Sequence, residues 1–241
     1  TAYECGQSLY SRALVSAHVG QTDRLVPSLN YGKGVDMDFA FTEGQEMLKS
    51  SIRNFLEKEI APVVGEHEKK GPLTKAETVA FVRQLLPFGY LTGFLPEKYG
   101  GSQLEAKTNG ILVEELSRVW ASLAGTIFIA AGFLWVLSEA GSPEQKEKLL
   151  PLGASGNYIG CIAITEPNVG SDVSGLETTA TMDGDNYLIN GTKIWISNGT
   201  IADAAFVLAT TDKSLGALGM SFFLIEKNVA PFSARERQKR W

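Results

Sequence analysis

The sequence is poor in the residues that build disulfide frameworks and metal sites. Its 241 residues include two cysteines and two histidines. Cys5 and Cys161 lie far apart, and no pair of Cys or His residues has the spacing of zinc ligands. This composition argues against a disulfide-stabilised secreted domain and against a metal site, and it favours a reducing compartment.

A strong excess of one charge is also missing. The chain has 22 basic and 27 acidic residues, interspersed, for a net charge of −5. We therefore predict no nucleic-acid partner. No apolar core of a secretory signal occurs near the N-terminus. The length allows one large domain or two small ones, each with a real core.

Methionine is absent from residues 1–36, where the periodicity is weak and Gly, Ser and Pro are scattered. The first well-patterned segment opens at Met37. We interpret residues 1–36 as a non-native leader or a disordered segment, with a targeting peptide as the alternative. Residues 37–157 then form an N-terminal helical domain, and residues 158–241 form a truncated middle β domain.

Three capping boxes predict helix starts in the first half of the chain. They pair Thr42 with Gln45, Thr74 with Glu77, and Ser142 with Gln145. We expect these helices to end at the prolines at positions 62, 87 and 151. A further helix is predicted over 105–119. It carries Glu114 and Glu115, which point about 100° apart, so one structural ion pair or solvent exposure is favoured over acid–base catalysis.

Residues 119–138 contain no charged side chain and are numerous enough to span a bilayer. A membrane-anchored protein is therefore one alternative. Ser122, Thr126 and the glycines of this run, together with amphipathic neighbours that need a partner, favour the central helix of a globular bundle. We predict the buried helix.

Past Gly156 the hydrophobic period changes from 3.6 toward 2, which predicts strands. The predicted strands are 158–164, 176–182, 186–190, 192–197, 204–210 and 220–226. Two dipeptides, Asp183-Gly184 and Asn190-Gly191, predict tight turns between them.

Two polar clusters in this strand-rich half favour a flat cofactor that carries phosphate. Gly170 allows close backbone approach to a phosphate, and Ser171 adds a hydroxyl. Asp172 would repel a phosphate, so we expect its carboxylate to order the loop by accepting backbone N–H bonds. Trp195 offers a flat face, and Ser197 is expected on the same side of a strand. An ordinary surface turn and plain core packing remain the alternatives for each cluster alone.

Residues 161–199 resemble the signature of the acyl-CoA dehydrogenase family, flavoproteins that desaturate acyl-CoA thioesters between Cα and Cβ. The resemblance rests on Thr-Glu-Pro at 165–167, Gly-Ser-Asp at 170–172 and the run Asn-Gly-x-Lys-x-Trp-Ile-Ser-Asn-Gly at 190–199. It extends over roughly residues 37–233. It implies an α+β fold, in which an N-terminal all-α helical bundle domain is followed by an incomplete antiparallel β-barrel domain and the C-terminal four-helix domain is absent.

The resemblance also implies FAD as the cofactor and an acyl-CoA as the substrate. The residues expected to contact the flavin are Ile162, Ile164, Thr165, Gly170, Ser171, Trp195, Ile196 and Ser197. Ser171 is also expected to touch the substrate. The β-hydrogen would leave as hydride to flavin N5, and the glutamate base would lie beyond Trp241, so no catalytic residue is assigned and Glu166 is left in the loop motif.

Other expectations follow from the same resemblance. They are an electron-transfer flavoprotein as acceptor, a homo-oligomer (a tetramer) when full length, and a cytoplasmic location, or the mitochondrial matrix in a eukaryote, in fatty acid β-oxidation. An acyl-CoA oxidase, a flavin monooxygenase or nitroalkane oxidase, and a catalytically dead truncated module remain alternatives. The last residues, 234–241, contain no cap or turn, and we expect a fragment with weak or no flavin binding and no turnover.

Overall fold

The computed structural model describes residues 9–13, 40–230 and 232–234. A helical unit precedes most of a six-stranded sheet. The helices are α1 (Glu43–Phe55), α2 (Ala61–Lys70), α3 (Lys75–Leu85), α4 (Ala106–Ala140) and α5 (Pro143–Ala154). The strands are β1 (Leu9–Ala13), β2 (Gly160–Ala163), β3 (Thr179–Asp183), β4 (Asn186–Gly191), β5 (Ala204–Thr210) and β6 (Met220–Glu226).

All three predicted capping boxes are present. At α1, the Gln45 amide donates to the Thr42 hydroxyl at 3.2 Å, and the Gln45 side chain accepts the Thr42 amide at 3.0 Å. The caps of α3 and α5 have the same reciprocal pair of bonds. Each cap provides a hydrogen-bond partner for amides that have none inside the helix. Because both partners lie only three residues apart, these helix starts can be recognised from the sequence.

The prolines end fewer helices than predicted. Pro62 lies in the first turn of α2, which follows α1 through a wider turn at Leu56–Ile60. The Ala61 amide bonds five residues back to Leu56, so the ladder is already shifted where the Pro62 amide is missing. Pro151 lies inside α5. Only α3 ends as predicted, just before a short turn that contains Pro87.

Helix α4 has 35 residues and is broken at Trp120, whose φ of −149° and ψ of 87° are not helical. This break separates the two predicted helical segments. The indole of Trp120 is buried, and its Nε1 donates to Glu68 at 2.6 Å. Ser122 donates to the same carboxylate oxygen at 2.7 Å, so Glu68 joins both sides of the break.

By length and composition, α4 is the one helix of the described residues that could cross a membrane. In the fold it is instead the central helix of the bundle. Its second half supplies a line of fully buried side chains to the core: Leu123, Phe133, Leu134 and Leu137. The prediction of a buried helix is confirmed for this face, while Phe128 and Trp135 are half exposed.

The adjacent acids Glu114 and Glu115 have different roles, as their helical spacing predicts. Glu115 is 1% exposed and pairs with Arg53 of α1 through two bonds, of 2.9 Å from Nε and 2.7 Å from Nη2. Glu114 points to the surface near Lys49. The prediction of one structural ion pair is confirmed.

The sheet has the order β1-β4-β3-β5-β2, with β6 also paired to β5. The sheet is not closed. The prediction of a helical domain followed by an incomplete β domain is confirmed. The sheet is mixed rather than wholly antiparallel, because β2 runs parallel to β5. The chain between them returns through a loop and the β3–β4 hairpin, so β5 starts at the same end of the sheet as β2.

Two predictions in the β half are wrong. Residues 192–197 form a loop, not a strand, so Trp195 and Ser197 do not share one face of a strand. Asn190-Gly191 ends β4 and forms no tight turn, whereas Asp183-Gly184 does open the β3–β4 turn. Gly191 is required for a different reason: a Cβ there would lie 2.2 Å from the Thr178 hydroxyl oxygen.

Most of the predicted leader lies outside the described residues, as do residues 235–241. Within it, Leu9–Ala13 form β1, which pairs antiparallel with β4. Whether residues 1–36 are native stays a prediction.

The helical domain and the sheet meet where α4 packs on β2 and β5. Phe133 is fully buried, and its ring lies 4.9 Å from that of Phe206. Alternate residues of β5 face different cores: Ala204 and Phe206 join the helical core, and Ala205 and Val207 join the core of the sheet. The two domains therefore share one wall of buried side chains.

Replacing Gly160 by Ala should destabilise this wall. A Cβ at Gly160 would lie 2.0 Å from the Phe133 ring, and Phe133 is enclosed on all sides. We expect a loss of about 1–3 kcal/mol in the free energy of unfolding, measured by urea denaturation. Gly110→Ala is the control, because in the part of the chain that the structure describes nothing lies within 4 Å of a Cβ built on Gly110. Equal stability of both variants would contradict the close packing.

Candidate functional site

A buried ion pair joins the two polar clusters of the sequence. Lys193 Nζ lies 2.8 Å from Glu166 Oε1, and both side chains are 1% exposed. The same ammonium donates to the Ile164 carbonyl at 2.9 Å. The segment that contains Lys193 is thereby held against the segment that contains Glu166, although 27 positions separate the two residues.

The carboxylate of Glu166 has further partners. It accepts the amides of Glu177 at 2.6 Å and Thr178 at 2.9 Å, and the Thr178 hydroxyl donates to it as well. Gly191 leaves room for Thr178 at this point. One carboxylate therefore ties together the loop after β2, the start of β3 and the end of β4.

Backbone contacts continue the alignment of the two clusters. The Ile194 amide donates to the Thr165 carbonyl at 2.9 Å. Together with the bond from Lys193 to Ile164, this contact sets residues 164–165 beside residues 193–194. Trp195 follows immediately, so the indole starts from backbone that lies next to Thr165.

Trp195 is unusual in two ways. Its side chain is 65% exposed, and its φ of 60° lies in the left-handed region that bulky residues rarely adopt. Asn198 also has a left-handed φ, of 66°. The Asn198 side chain donates to the Thr126 carbonyl of α4 at 2.9 Å and is 3.4 Å from the Gly160 carbonyl, which fixes the loop on the helical domain. A large apolar face is therefore presented outward from a constrained backbone.

The loop with Gly170 and Ser171 is open. Both residues are exposed, and no atom of the described residues lies within 4 Å of a Cβ built on Gly170. The Asp172 carboxylate accepts the Ser174 amide at 2.9 Å, as predicted for a loop-ordering residue. Hydrogen bonds from the Ser174 side chain and from the Ser174 amide hold the pKa of Asp172 below its usual range.

The predicted contact residues fall into two groups. Ile162, Ile164 and Thr165 are half-buried and lie along the segment that is aligned with Trp195 and Ile196. Ile162 packs on the helical core and Ile196 on the sheet core. Gly170, Ser171 and Ser197 lie on exposed turns beyond this aligned segment.

The sequence did not reveal the buried residues that hold the loops of the site in place. Lys193 and Thr178 are buried and bonded to Glu166, and Asn198 anchors the Trp195 loop. Lys193 does stand inside the quoted run at 190–199, and a lysine directly before the apolar residues Ile194 and Trp195 was the available signal. Thr178 and its carboxylate partner have no local signature, since their contact spans 12 positions.

The environment of the ion pair changes the pKa values of both Glu166 and Lys193. Burial alone raises the pKa of Glu166, but hydrogen bonds from Lys193, Thr178 and two amides outweigh it, so the pKa lies below the ordinary value. Burial lowers the pKa of Lys193, and the bond to Glu166 opposes that change. Because each charge stabilises the other, we assign both groups as ionised near neutral pH.

Comparison with known proteins shows the family to which both domains belong. The acyl-CoA dehydrogenase N-terminal domain family matches residues 42–157, and the acyl-CoA dehydrogenase middle domain family matches residues 161–241. The chain belongs to the acyl-CoA dehydrogenase family. The boundary between the two matches follows α5, where the helical unit gives way to β2.

Individual acyl-CoA dehydrogenases are similar in sequence and in fold. The short-chain specific acyl-CoA dehydrogenase of Clostridium acetobutylicum is 37% identical over 82% of this chain and 51% of its own length. The structure of butyryl-CoA dehydrogenase from Megasphaera elsdenii aligns with a TM-score of 0.70 at 35% identity, over 79% of this chain and 50% of that one. A glutaryl-CoA dehydrogenase from Mycobacterium smegmatis, in complex with FADH2, aligns with a TM-score of 0.71 at 29% identity, over 80% and 48%. The chain thus spans about half the length of the relatives that it matches.

Removing one member of the buried pair should cost more than removing both. In Glu166→Gln or Lys193→Met alone, one charge stays buried without its partner, and we expect a loss of about 3–5 kcal/mol in unfolding free energy. The double variant should lose less stability than either single variant, and therefore clearly less than the sum of the two single losses. Urea denaturation of the four proteins measures this coupling. Strictly additive losses would show that the pair is not coupled.

The pair also predicts a pH dependence. The pKa of Glu166 is lower in the folded chain than its ordinary value of 4.5, so its stabilising contribution is full above that value and is lost as pH falls through the folded pKa. The stability difference between wild type and Glu166→Gln should therefore shrink in acid below about pH 4. Thermal melting across this range tests it. A difference that grows in acid would contradict the direction of the shift.

Proposed function

We propose that this chain forms the helical and middle β parts of an FAD-dependent acyl-CoA dehydrogenase that desaturates an acyl-CoA thioester between Cα and Cβ. The observation that carries the proposal is the exposed indole of Trp195, held with φ of 60° beside the Thr165 segment by the buried Glu166–Lys193 pair. The membership in the family supplies the reaction class.

The residues of the loop pair fit a flavin. The indole offers a flat apolar surface, and the open space beside Gly170 leaves room for a phosphate next to the exposed Ser171 hydroxyl. Of the two nearest acids, Glu166 is paired with the Lys193 ammonium, and the Asp172 carboxylate is bonded to the Ser174 amide. We propose FAD contacts for all eight predicted residues: Ile162, Ile164, Thr165, Gly170, Ser171, Trp195, Ile196 and Ser197.

The roles of these residues follow from their chemistry. When bound, the flavin would supply the two-electron redox chemistry, with N5 accepting the β-hydrogen as hydride. Trp195 would pack against the ring system, and the hydroxyls of Thr165 and Ser197 would donate to its polar edge. Ser171 would reach both the cofactor and the thioester substrate. The buried pair would keep the two loops in register while the ligand binds.

We assign the catalytic base to none of these residues. Glu166, the carboxylate nearest to the flavin segment in sequence, already accepts bonds from Lys193, Thr178 and the Glu177 amide. Its lowered pKa makes it a weaker proton acceptor than an ordinary glutamate. The base is proposed to lie beyond Trp241, so the 241 residues alone would lack turnover.

We propose an acyl-CoA substrate, an electron-transfer flavoprotein as acceptor, and a tetrameric full-length protein. We also propose a cytoplasmic location, or the mitochondrial matrix in a eukaryote.

Replacing Trp195 by Ala should remove the flavin contact. We expect the chain to bind FAD weakly, with a Kd of roughly 10 µM or more, and the variant to bind at least about tenfold more weakly, because the stacking surface is lost. Quenching of flavin fluorescence on titration measures both. Trp135→Ala is the matched control, since Trp135 is a half-exposed indole of α4. Equal FAD binding by Trp195→Ala and wild type would refute the assignment of the flavin face.

Turnover gives a separate test of the missing base. We expect no desaturation of butyryl-CoA by the 241-residue chain with excess FAD and an artificial electron acceptor. Formation of the enoyl product is followed by mass spectrometry. Measurable product would show that a base lies within these residues.

A further inference from the structure

The second half of α4 presents an apolar strip at the surface. Gly125, Phe128, Gly132 and Trp135 follow one another at intervals of three or four residues, which places them on one face of the helix. Phe128 is 52% exposed and Trp135 is 48% exposed, and Gly125 is exposed as well. Residues 119–138 carry no charge. Exposed apolar patches of this kind often mark interaction surfaces.

The two glycines of the strip are not required by packing within the described residues. Outside the backbone of α4 itself, no described atom lies within 4 Å of a Cβ built on Gly125. A Cβ on Gly132 would meet only the Ile162 side chain, at an ordinary 3.8 Å. Glycine in a helix interior is less stable than alanine. Both glycines therefore weaken the helix and leave space that no described side chain fills.

The order of large and small residues along the strip is complementary to its own reverse. From Gly125 to Trp135 the order is small, large, small, large, so the reversed strip places a large residue opposite each small one. Antiparallel packing of two copies about the level of Ala130 puts Phe128 opposite the partner's Gly132. The same packing puts Trp135 opposite the partner's Gly125. Each ring then occupies the space beside a glycine.

A parallel pair of strips would fit less well. Each residue would then lie opposite its own copy, so rings would meet rings and the glycines would leave gaps. Glu139, exposed at the end of the strip, would face the partner's Glu139, and like charges repel. In the antiparallel pair Glu139 lies opposite the partner's Ala121, at the end of the uncharged run that Arg118 bounds. Shape and charge therefore select the antiparallel pair.

The exposed area indicates how strong the contact would be. Phe94, which lines the same small apolar cleft as Phe128 and Tyr90, is 41% exposed. A fully buried aromatic side chain covers about 150–250 Å², so the exposed parts of Phe94, Phe128 and Trp135 offer roughly 300 Å² in each copy. Stable dimers bury about 800 Å² on each partner, so we expect a weak, reversible pair with a Kd on the order of 0.1 mM.

We propose that this strip is a self-association surface, through which two copies of the chain form an antiparallel α4–α4 dimer with two-fold symmetry. The inference does not rest on the proposed function, because the contact requires neither flavin nor thioester. It adds an assembly contact within the helical domain.

Sedimentation velocity of the ligand-free chain over a concentration series measures the association. We expect a monomer–dimer equilibrium whose Kd rises at least about tenfold in Phe128→Gln, since a two-fold interface contains the substituted residue twice. Leu218→Gln is the control and should associate like wild type, because Leu218 is 90% exposed in the turn before β6. A wild type that stays monomeric at about five times the expected Kd, or an equal loss of association in the control, would overturn the proposal.

A glycine variant separates shape from general apolar attraction. Gly125→Leu adds apolar surface and raises the helix propensity of α4, so the monomer should melt at the wild-type temperature or higher. It should nevertheless weaken association at least about tenfold, because the new side chain fills the space that the partner's Trp135 would occupy. Association that is unchanged or stronger would contradict the packing of rings beside glycines.

Cross-linking tests the direction of the pair. Ala121→Cys and Glu139→Cys, each made together with Cys5→Ser, place one thiol on the exposed face, while Cys161 is buried. With a short bismaleimide, the antiparallel pair predicts a cross-linked dimer in the mixture of the two variants and not in either one alone. A cross-link of Glu139→Cys with itself would indicate a parallel pair, and no cross-link in the mixture would indicate another interface. Either result refutes the proposal.

Discussion

The buried ion pair between Glu166 and Lys193 is the interaction on which the candidate site depends. It holds two loops that are far apart in sequence, and it does so at a point where both side chains are excluded from water. A buried pair contributes little net stability, because desolvation offsets most of the attraction. Its use here is geometric: the carboxylate also gathers two amides and the Thr178 hydroxyl, so the loops have one arrangement in which every partner is satisfied.

The helical domain also helps to position the candidate site. Helix α4 supports the Trp195 loop through the Thr126 carbonyl and packs Phe133 where Gly160 leaves no space for a side chain. The same helix is broken at Trp120, and Glu68 bonds to both sides of the break. One element therefore supports the proposed flavin loop and also lines the small apolar cleft that contains Tyr90.

Local rules identified most of the helical domain correctly. The helix starts at Thr42, Thr74 and Ser142 are satisfied by groups only three residues away, so their sequence signature is complete. Local rules failed where the outcome depended on distant groups. Residues 192–197 alternate like a strand, yet Lys193 bonds to Glu166 and Asn198 to α4, and these contacts outweigh the local preference. Pro62 is tolerated because the preceding turn had already widened.

The sequence by itself determined the division into helical and strand-rich halves, the buried nature of much of α4, and the two clusters that mark the site. These follow from periodicity and from short motifs whose partners lie close in the chain. Only the tertiary structure decided that Glu166 is structural, that Trp195 is presented outward with a left-handed backbone, and that the Tyr90 hydroxyl is buried without a partner among the described residues. Each of these depends on which distant residues meet, and burial changes the energy of a charge or a hydroxyl far more than any local pattern records.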